Sequence, residues 1–257
     1  MIPSPPPSAS TGTESIASEP YAAAIVVAAG SSTRMLARGA SGERKPLLFL
    51  AGRTILERAC AALAGARSIG ELVVVGHAQD LDRLRELART SPDLARVRAV
   101  VHGGALRIDS VRAGVDAVSA RWEVLCVHDA ARPLVEPETV DRAALRARSE
   151  GASLVAVPVR DTIKLSSAGS HAESTLDRAR LWAAQTPQCF RAAEFRELLL
   201  RARAEGFQPT DDSALYERYV GPVPIVEGEE TNLKITTPGD LALAEALLAA
   251  REREAAR

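Results

Sequence analysis

The chain has 257 residues, a length that α/β domains often reach as one unit, and its 46% apolar content can fill a sizeable core. A formal net charge of −1 leaves no global basic field to hold a polyanion, so nucleic acid is excluded as the expected partner. No uninterrupted apolar stretch reaches the roughly 18 residues that span a bilayer, so no membrane association is expected.

The segment 1–20 is rich in Pro, Ser, Thr and Ala and has neither the basic start nor the apolar stretch of a secretory signal. It buries too little to offset its ordering entropy, and a disordered tail is expected ahead of a single domain over 21–257. The almost continuously apolar run at 24–27 predicts a strand buried on both faces. Three-to-four spacing predicts a helix over 54–63, and the pattern repeats: strand 72–75, helix 81–90, strand 97–101, helix 106–119, strand 124–127, helix 137–149, strand 154–157. Pro137 suits the first helical position and Gly151 a C-terminal cap. Such alternation gives an α/β fold with a doubly wound, mostly parallel sheet. Past Val159 the rhythm breaks. Ser166-Ser167-Ala168-Gly169-Ser170 reads as the tip of a hairpin within 160–181, or as a loose surface loop. Helices over 192–204 and 211–218, a strand over 223–226 and a closing helix over 240–250 complete the chain, with no internal repeat.

The three cysteines, Cys60, Cys126 and Cys189, are odd in number and widely spaced, with no Cys-x-x-Cys pair. Packed thiols in a reducing, cytoplasmic setting follow. Cys189 has no adjacent histidine to activate it.

In open parallel sheets, ligands sit beyond the carboxyl ends of the strands. The first strand leads into Ala28-Ala29-Gly30-Ser31-Ser32-Thr33-Arg34-Met35, where small residues let backbone N–H groups approach phosphate oxygens. Arg34, with Lys45 further along, can neutralise their charge. The same residues also fit an ordinary strand-to-helix turn with two surface cations. Neither a Walker-type loop nor a Gly-x-Gly-x-x-Gly fingerprint is present. The third strand leads into His102-Gly103-Gly104-Ala105-Leu106-Arg107-Ile108-Asp109-Ser110, whose paired glycines admit close contact with a base or ribose, or simply make a turn. The fourth leads into His128-Asp129-Ala130-Ala131-Arg132-Pro133, an acid and a cation able to bind metal, sugar hydroxyl or phosphate, or to form a structural ion pair. His128 reads as a support for this loop. The fifth is followed by Val157-Pro158-Val159-Arg160-Asp161-Thr162-Ile163-Lys164, then Thr175-Leu176-Asp177-Arg178 and Trp182-Ala183-Ala184-Gln185-Thr186-Pro187-Gln188. Thr210-Asp211-Asp212 and Thr237-Pro238-Gly239-Asp240 both have the form of helix N-caps.

From Ala22 to about Ala249 these motifs, in this order, resemble the 2-C-methyl-D-erythritol 4-phosphate cytidylyltransferases, a family of sugar-phosphate nucleotidylyltransferases. The resemblance implies a Rossmann-like nucleotidyltransferase fold, substrates CTP and 2-C-methyl-D-erythritol 4-phosphate, Mg²⁺ or another divalent cation, and a homodimer in which a β-arm at about 160–181 embraces the second subunit. It assigns Arg34 and Lys45 to the α-phosphate and the leaving pyrophosphate, and Arg178 and Lys234 to the attacking phosphate. Ala28, Ala29, Gly30, Gly103, Gly104 and Ser110 would select cytosine, and Asp129, Arg132, Thr186 and Thr210 would meet the sugar phosphate, with Asp129 also a metal ligand. Thr162 and Arg178 would complete the partner's site. A ribitol 5-phosphate cytidylyltransferase and a nucleotide-binding regulator without catalysis remain alternatives. The chain departs from the family pattern in a longer loop over 36–44, in Pro46 where Gln is common, and in Ala105 where an acidic or polar residue is sometimes found.

Overall fold

The computed structural model describes residues 19–30 and 44–255; the expected tail, apart from its last two residues, and Arg34 lie outside the described residues. Small and β-branched residues build β1 (Ala22–Ala28), and alternation sends its side chains to opposite faces. Ala22, Ala24, Val26 and Ala28 pack into one core layer, whereas Ala23 and Ile25 pack into the other. After the short hairpin β2 (Phe49–Leu50) and β3 (Arg53–Thr54) comes α1 (Ile55–Gly65). A capping box starts that helix: Thr54 Oγ1 accepts from Glu57 N at 3.1 Å and Glu57 Oε2 accepts from Thr54 N at 2.7 Å. Then follow β4 (Ile69–Gly76), α2 (Leu81–Thr90), β5 (Val97–His102), α3 (Arg107–Ala117), β6 (Val124–Asp129), α4 (Pro137–Glu150) and β7 (Ala152–Pro158). Pro137 opens α4, and Gly151, at φ +98°, ends it in a conformation that side chains disfavour.

Among the described residues the main sheet has seven strands, and with β10 (Trp182–Arg191) and β11 (Ile225–Glu227) they lie in the order β11-β7-β10-β6-β1-β4-β5. β1 pairs in parallel with β4 on one side and β6 on the other, Ile25 standing opposite both Val73 and Val127. Helices α1, α2 and α4 cover one face. The other is covered by α3, α5 (Ala192–Glu205) and α6 (Ser213–Tyr219). The sheet is thus doubly wound and mostly parallel, with the chain diverging to either side of β1. All three cysteines are buried in the layer beneath α1 and α4.

The β2–β3 hairpin was not among the elements read along the sequence, and the larger differences otherwise fall in the second half of the chain. β10 (Trp182–Arg191) was not expected as a strand, because Gln185, Pro187 and Gln188 interrupt its apolar run. It lies antiparallel between β6 and β7, with a register shift between Ala184 and Gln188 and a cis Thr186–Pro187 peptide. β11 (Ile225–Glu227) begins later than expected. The closing helix α7 (Pro238–Ala255) is longer, and Thr236, Thr237 and Asp240 cap it reciprocally. Between β7 and β10 the expected hairpin is present: β8 (Lys164–Leu165) pairs antiparallel with β9 (Ser174–Thr175), exposed on both strands. A third small core of Leu48, Leu50, Ile55, Leu134, Ile235 and Ala244 seats α7 and draws the segment bearing Lys234 back to the sheet.

Gly114 lies in the middle of α3, where a glycine costs helix stability, yet a Cβ there would overlap Ile25 Cγ2 and sit 2.9 Å from Val75 Cγ2. Its bareness lets α3 settle against β1 and β4, and so sets the depth at which the β5–α3 loop meets the cleft. Gly114→Ala is therefore expected to destabilise the fold by about 1–3 kcal/mol despite the better helix propensity, overpacking being the larger effect. A urea midpoint at or above that of the native chain would contradict this packing account.

Candidate active site

A cleft of about 490 Å³ opens at the carboxyl ends of β1, β4, β5 and β6, where the chain diverges. Ala28, Ala29 and Gly30 line it, together with Lys45, which starts a short turn at Lys45–Leu47, and Pro46. Gly104 and Ser110 line it from the β5–α3 loop, and the buried Ser110 hydroxyl donates to Leu106 O at 3.3 Å. Gly103 is not part of this lining. A Cβ there would stand 2.5 Å from Ala29 Cβ and 2.7 Å from Ser110 Oγ, so its lack of a side chain packs the two exit loops together.

Asp129, the last residue of β6, and Lys234 occupy the far wall. Lys234 Nζ donates to Asp129 Oδ2 at 2.6 Å, while Arg107 Nη2 lies 3.5 Å from Asp129 Oδ1. Burial raises the pKa of this carboxyl, but the two cations outweigh it and hold the group at about 2. It is therefore ionised throughout the physiological range. Arg107, absent from the residues singled out in the sequence, also makes a 2.7 Å ion pair with the buried Asp212. The signal was available: a cation at the first position of the helix after Gly-Gly, and a second acid in Asp211-Asp212. Of that pair Asp211 caps α6, accepting from Ala214 N at 3.1 Å, whereas Asp212 turns inward to Arg107.

Thr186 and Arg132, expected at the substrate, stand behind the cleft. Asp129 N donates to Thr186 Oγ1 at 3.1 Å, and Thr186 Oγ1 lies 3.0 Å from His128 Nδ1. His128 Nε2 lies 3.0 Å from Arg132 O. A carbonyl can only accept, so Nε2 carries the proton and Nδ1 receives the threonine hydroxyl. With the ring neutral, one directional chain runs from the Asp129 amide through the Thr186 hydroxyl and His128 to the Arg132 carbonyl. Burial agrees, lowering the His128 pKa to about 4. The guanidinium of Arg132 is committed to Asn232 O at 2.8 Å and Ala184 O at 3.1 Å, tying the β6 loop to β10 and to the Lys234 segment. Thr210, Thr162 and Arg178 are exposed and outside this cleft; Arg178 Nη1 donates to Arg160 O at 2.9 Å at the base of the arm.

Among the described residues no group of three or more His, Cys, Asp or Glu side chains is placed to hold a metal ion. Asp129 is the one carboxylate among the described lining residues. That donor set fits a cation which takes one protein carboxylate and completes its shell with water and substrate phosphate, as Mg²⁺ does.

A doubly wound sheet whose strand ends carry a small-residue loop, two lysines and an ionised carboxylate defines an α/β nucleotidyltransferase fold. Residues 22–250 match the family model described as IspD, 2-C-methyl-D-erythritol 4-phosphate cytidylyltransferase, and the chain belongs to that family. It is 39% identical over 227 residues to 2-C-methyl-D-erythritol 4-phosphate cytidylyltransferase of Microcystis aeruginosa, covering 88% of this chain and 98% of that protein. The crystal structure of 4-diphosphocytidyl-2C-methyl-D-erythritol synthase from Anaerococcus prevotii superposes with a TM-score of 0.77 at 28% identity, over 90% of this chain and 96% of that one. For the cytidylyltransferase from Thermus thermophilus the TM-score is 0.70 at 33% identity, over 88% and 97% of the two chains.

The neutral, buried His128 makes a prediction about stability. Its folded pKa of about 4 lies below the unfolded value of 6.5, so between these limits the unfolded chain binds the proton that the native state refuses. Stability is complete above pH 6.5 and falls as pH drops toward 4, by about 3 kcal/mol from this group. Urea titrations at intervals across that window should show the loss in the native chain and a flatter profile in His128→Asn; equal slopes would contradict the neutral-ring chain.

Proposed function

We propose that this protein transfers a cytidylyl group from CTP to 2-C-methyl-D-erythritol 4-phosphate and releases pyrophosphate, as the names of its relatives indicate. The observation that carries the reading is the cleft itself, in which Lys45 and Lys234 converge with Asp129 at the strand ends. The acceptor phosphate is a monoester with a second pKa of about 6, already largely dianionic at neutral pH, so its attack on the α-phosphorus needs no general base. The site matches that economy. His77, the one histidine among the described lining residues, accepts from Gln79 N at 3.2 Å as the cap of a turn. His128 is buried within its own chain of hydrogen bonds.

Catalysis then rests on position and charge. Ala28, Ala29 and Gly30 offer backbone to the nucleotide, and Lys45, together with Arg34, stabilises charge on the α-phosphate and the leaving pyrophosphate. Lys234 takes the acceptor phosphate, and Asp129 takes an acceptor hydroxyl or Mg²⁺. A bound Mg²⁺ would add Lewis-acid neutralisation of the triphosphate. The native chain should release pyrophosphate from CTP with the methylerythritol phosphate but not with ribitol 5-phosphate. Lys45→Ala and Arg34→Ala should each lower turnover by roughly two to three orders of magnitude, the loss of one preorganised charge-stabilising group, and weaken CTP binding less. Near-native turnover in both variants would remove the phosphate-cradle assignment.

The protein also acts, in this reading, as a cytoplasmic homodimer in which each arm completes the partner's site with Thr162 and Arg178. Two features support it: Arg178 is turned away from its own cleft, and the arm and its root expose Leu165, Leu176 and Trp182. Mixing Lys45→Ala chains with Arg178→Ala chains should restore activity, because one of the two sites in each heterodimer then has both cations. Heterodimers as inactive as their parents would exclude the shared site.

A further inference from the structure

We propose that Arg107, clamped between Asp212 and Asp129, is a positioning residue that sets the Asp129 carboxylate for the incoming sugar phosphate, with Asp212 as its fixed anchor. The inference rests on the cytidylyltransferase reading and extends it to a pair of residues with no assigned role. The two oxygens of Asp129 are claimed separately, Oδ1 by Arg107 at 3.5 Å and Oδ2 by Lys234 at 2.6 Å, while Thr186 holds its backbone amide. The cations differ in freedom. Lys234 is a flexible stem whose side chain is 42% exposed, and Asp129 is its partner at the wall. Arg107 is tied by a 2.7 Å ion pair to Asp212, whose side chain is 2% exposed.

This difference decides what moves when an anion arrives. Lys234, with its side chain 42% exposed, can leave Asp129 Oδ2 for a phosphate oxygen, because the buried Asp129 carboxylate keeps Arg107 at Oδ1 and meets the ligand at Oδ2. Arg107 cannot leave Asp212, because an unpaired carboxylate would then be left in the interior. Asp129 therefore stays gripped at Oδ1 and at its amide while Oδ2 is uncovered toward the cleft, ready to accept an acceptor hydroxyl or to bind a cation. The arrangement also keeps the carboxylate from swinging after the departing lysine. A tie whose sole task was to join α3 to α6 would need neither an arginine lining the cleft nor its reach to Asp129.

The test is a kinetic comparison of Arg107→Lys, Asp212→Asn and the double variant Arg107→Met/Asp212→Asn. The double variant removes both charges and leaves no orphaned ion, so it should melt close to the native chain even where a single change unfolds. Expected for the folded double variant are a KM for 2-C-methyl-D-erythritol 4-phosphate raised by about tenfold or more and a kcat lowered by about tenfold or more, with the CTP dissociation constant changed by less than about threefold. Arg107→Lys should keep part of the activity, since a point charge can hold one carboxylate but not span two. A double variant with native kcat and acceptor KM would overturn the clamp, and so would an effect confined to CTP binding. The native chain assayed alongside separates the two readings: failure to release pyrophosphate there counts against the cytidylyltransferase reading, and with it the clamp, whereas native turnover beside an unimpaired double variant counts against the clamp alone.

Discussion

The site depends on keeping one carboxylate charged at the end of a buried strand. Asp129 ends β6 against the sheet core, where an ion without partners would be neutralised by protonation. Its compensation recruits cations from distant parts of the chain, Arg107 from the start of α3 and Lys234 from the segment before α7, while the Thr186 hydroxyl of β10 holds the Asp129 backbone amide. Each of these is then held by something else. Asp212 fixes Arg107, the small core under α7 fixes the Lys234 segment, and His128 fixes Thr186. Local charge balance thereby becomes the reason that these loops meet in one place.

A second layer of polar contacts does the same for the backbone. Arg132 links the carbonyls of Ala184 and Asn232, and the Asn232 amide donates to Gln185 Oε1 at 2.9 Å and to Thr186 O at 3.0 Å. Three segments far apart in sequence are thus stitched behind the cleft. Their side chains look like ligands in a motif because they are polar and cluster at strand ends. In the folded chain the Arg132 and Asn232 side chains bind backbone carbonyls, that of Thr186 within the buried part of β10 among them.

That distinction marks how far the sequence could be read. Strands buried on both faces announce themselves as apolar runs, and β1, β4 and β6 were legible for that reason. So were α1 and α4, from their spacing and, for α4, from Pro137 and Gly151. The Ser-Gly tip fitted a hairpin and a loose loop alike, and the pairing of β8 with β9 decides for the hairpin. β10 was not legible, because its pairing is sustained by neighbours on both sides rather than by its own composition. Lys45 and Asp129 were found as charges following strands and Lys234 through the family resemblance, and all three line the cleft. Arg107 was missed because its significance lies in contact with Asp212, 105 positions away: the cation after Gly-Gly and the doubled acid are each visible locally, but no local pattern joins them. Pro46 lines the cleft beside Lys45, a rigid ring without a backbone N–H to offer a ligand.

The placement of the three cysteines has a further consequence. Cys60, Cys126 and Cys189 are fully enclosed in the single layer between the sheet and helices α1 and α4, and burial pushes the Cys60 thiol well up. None can meet a reagent unless that layer parts. The rate at which these sulfurs are alkylated in the folded protein therefore clocks the opening of one half of the molecule, independently of the half that α3, α5 and α6 cover. The chain carries its own probe of when the layer under α1 and α4 comes apart.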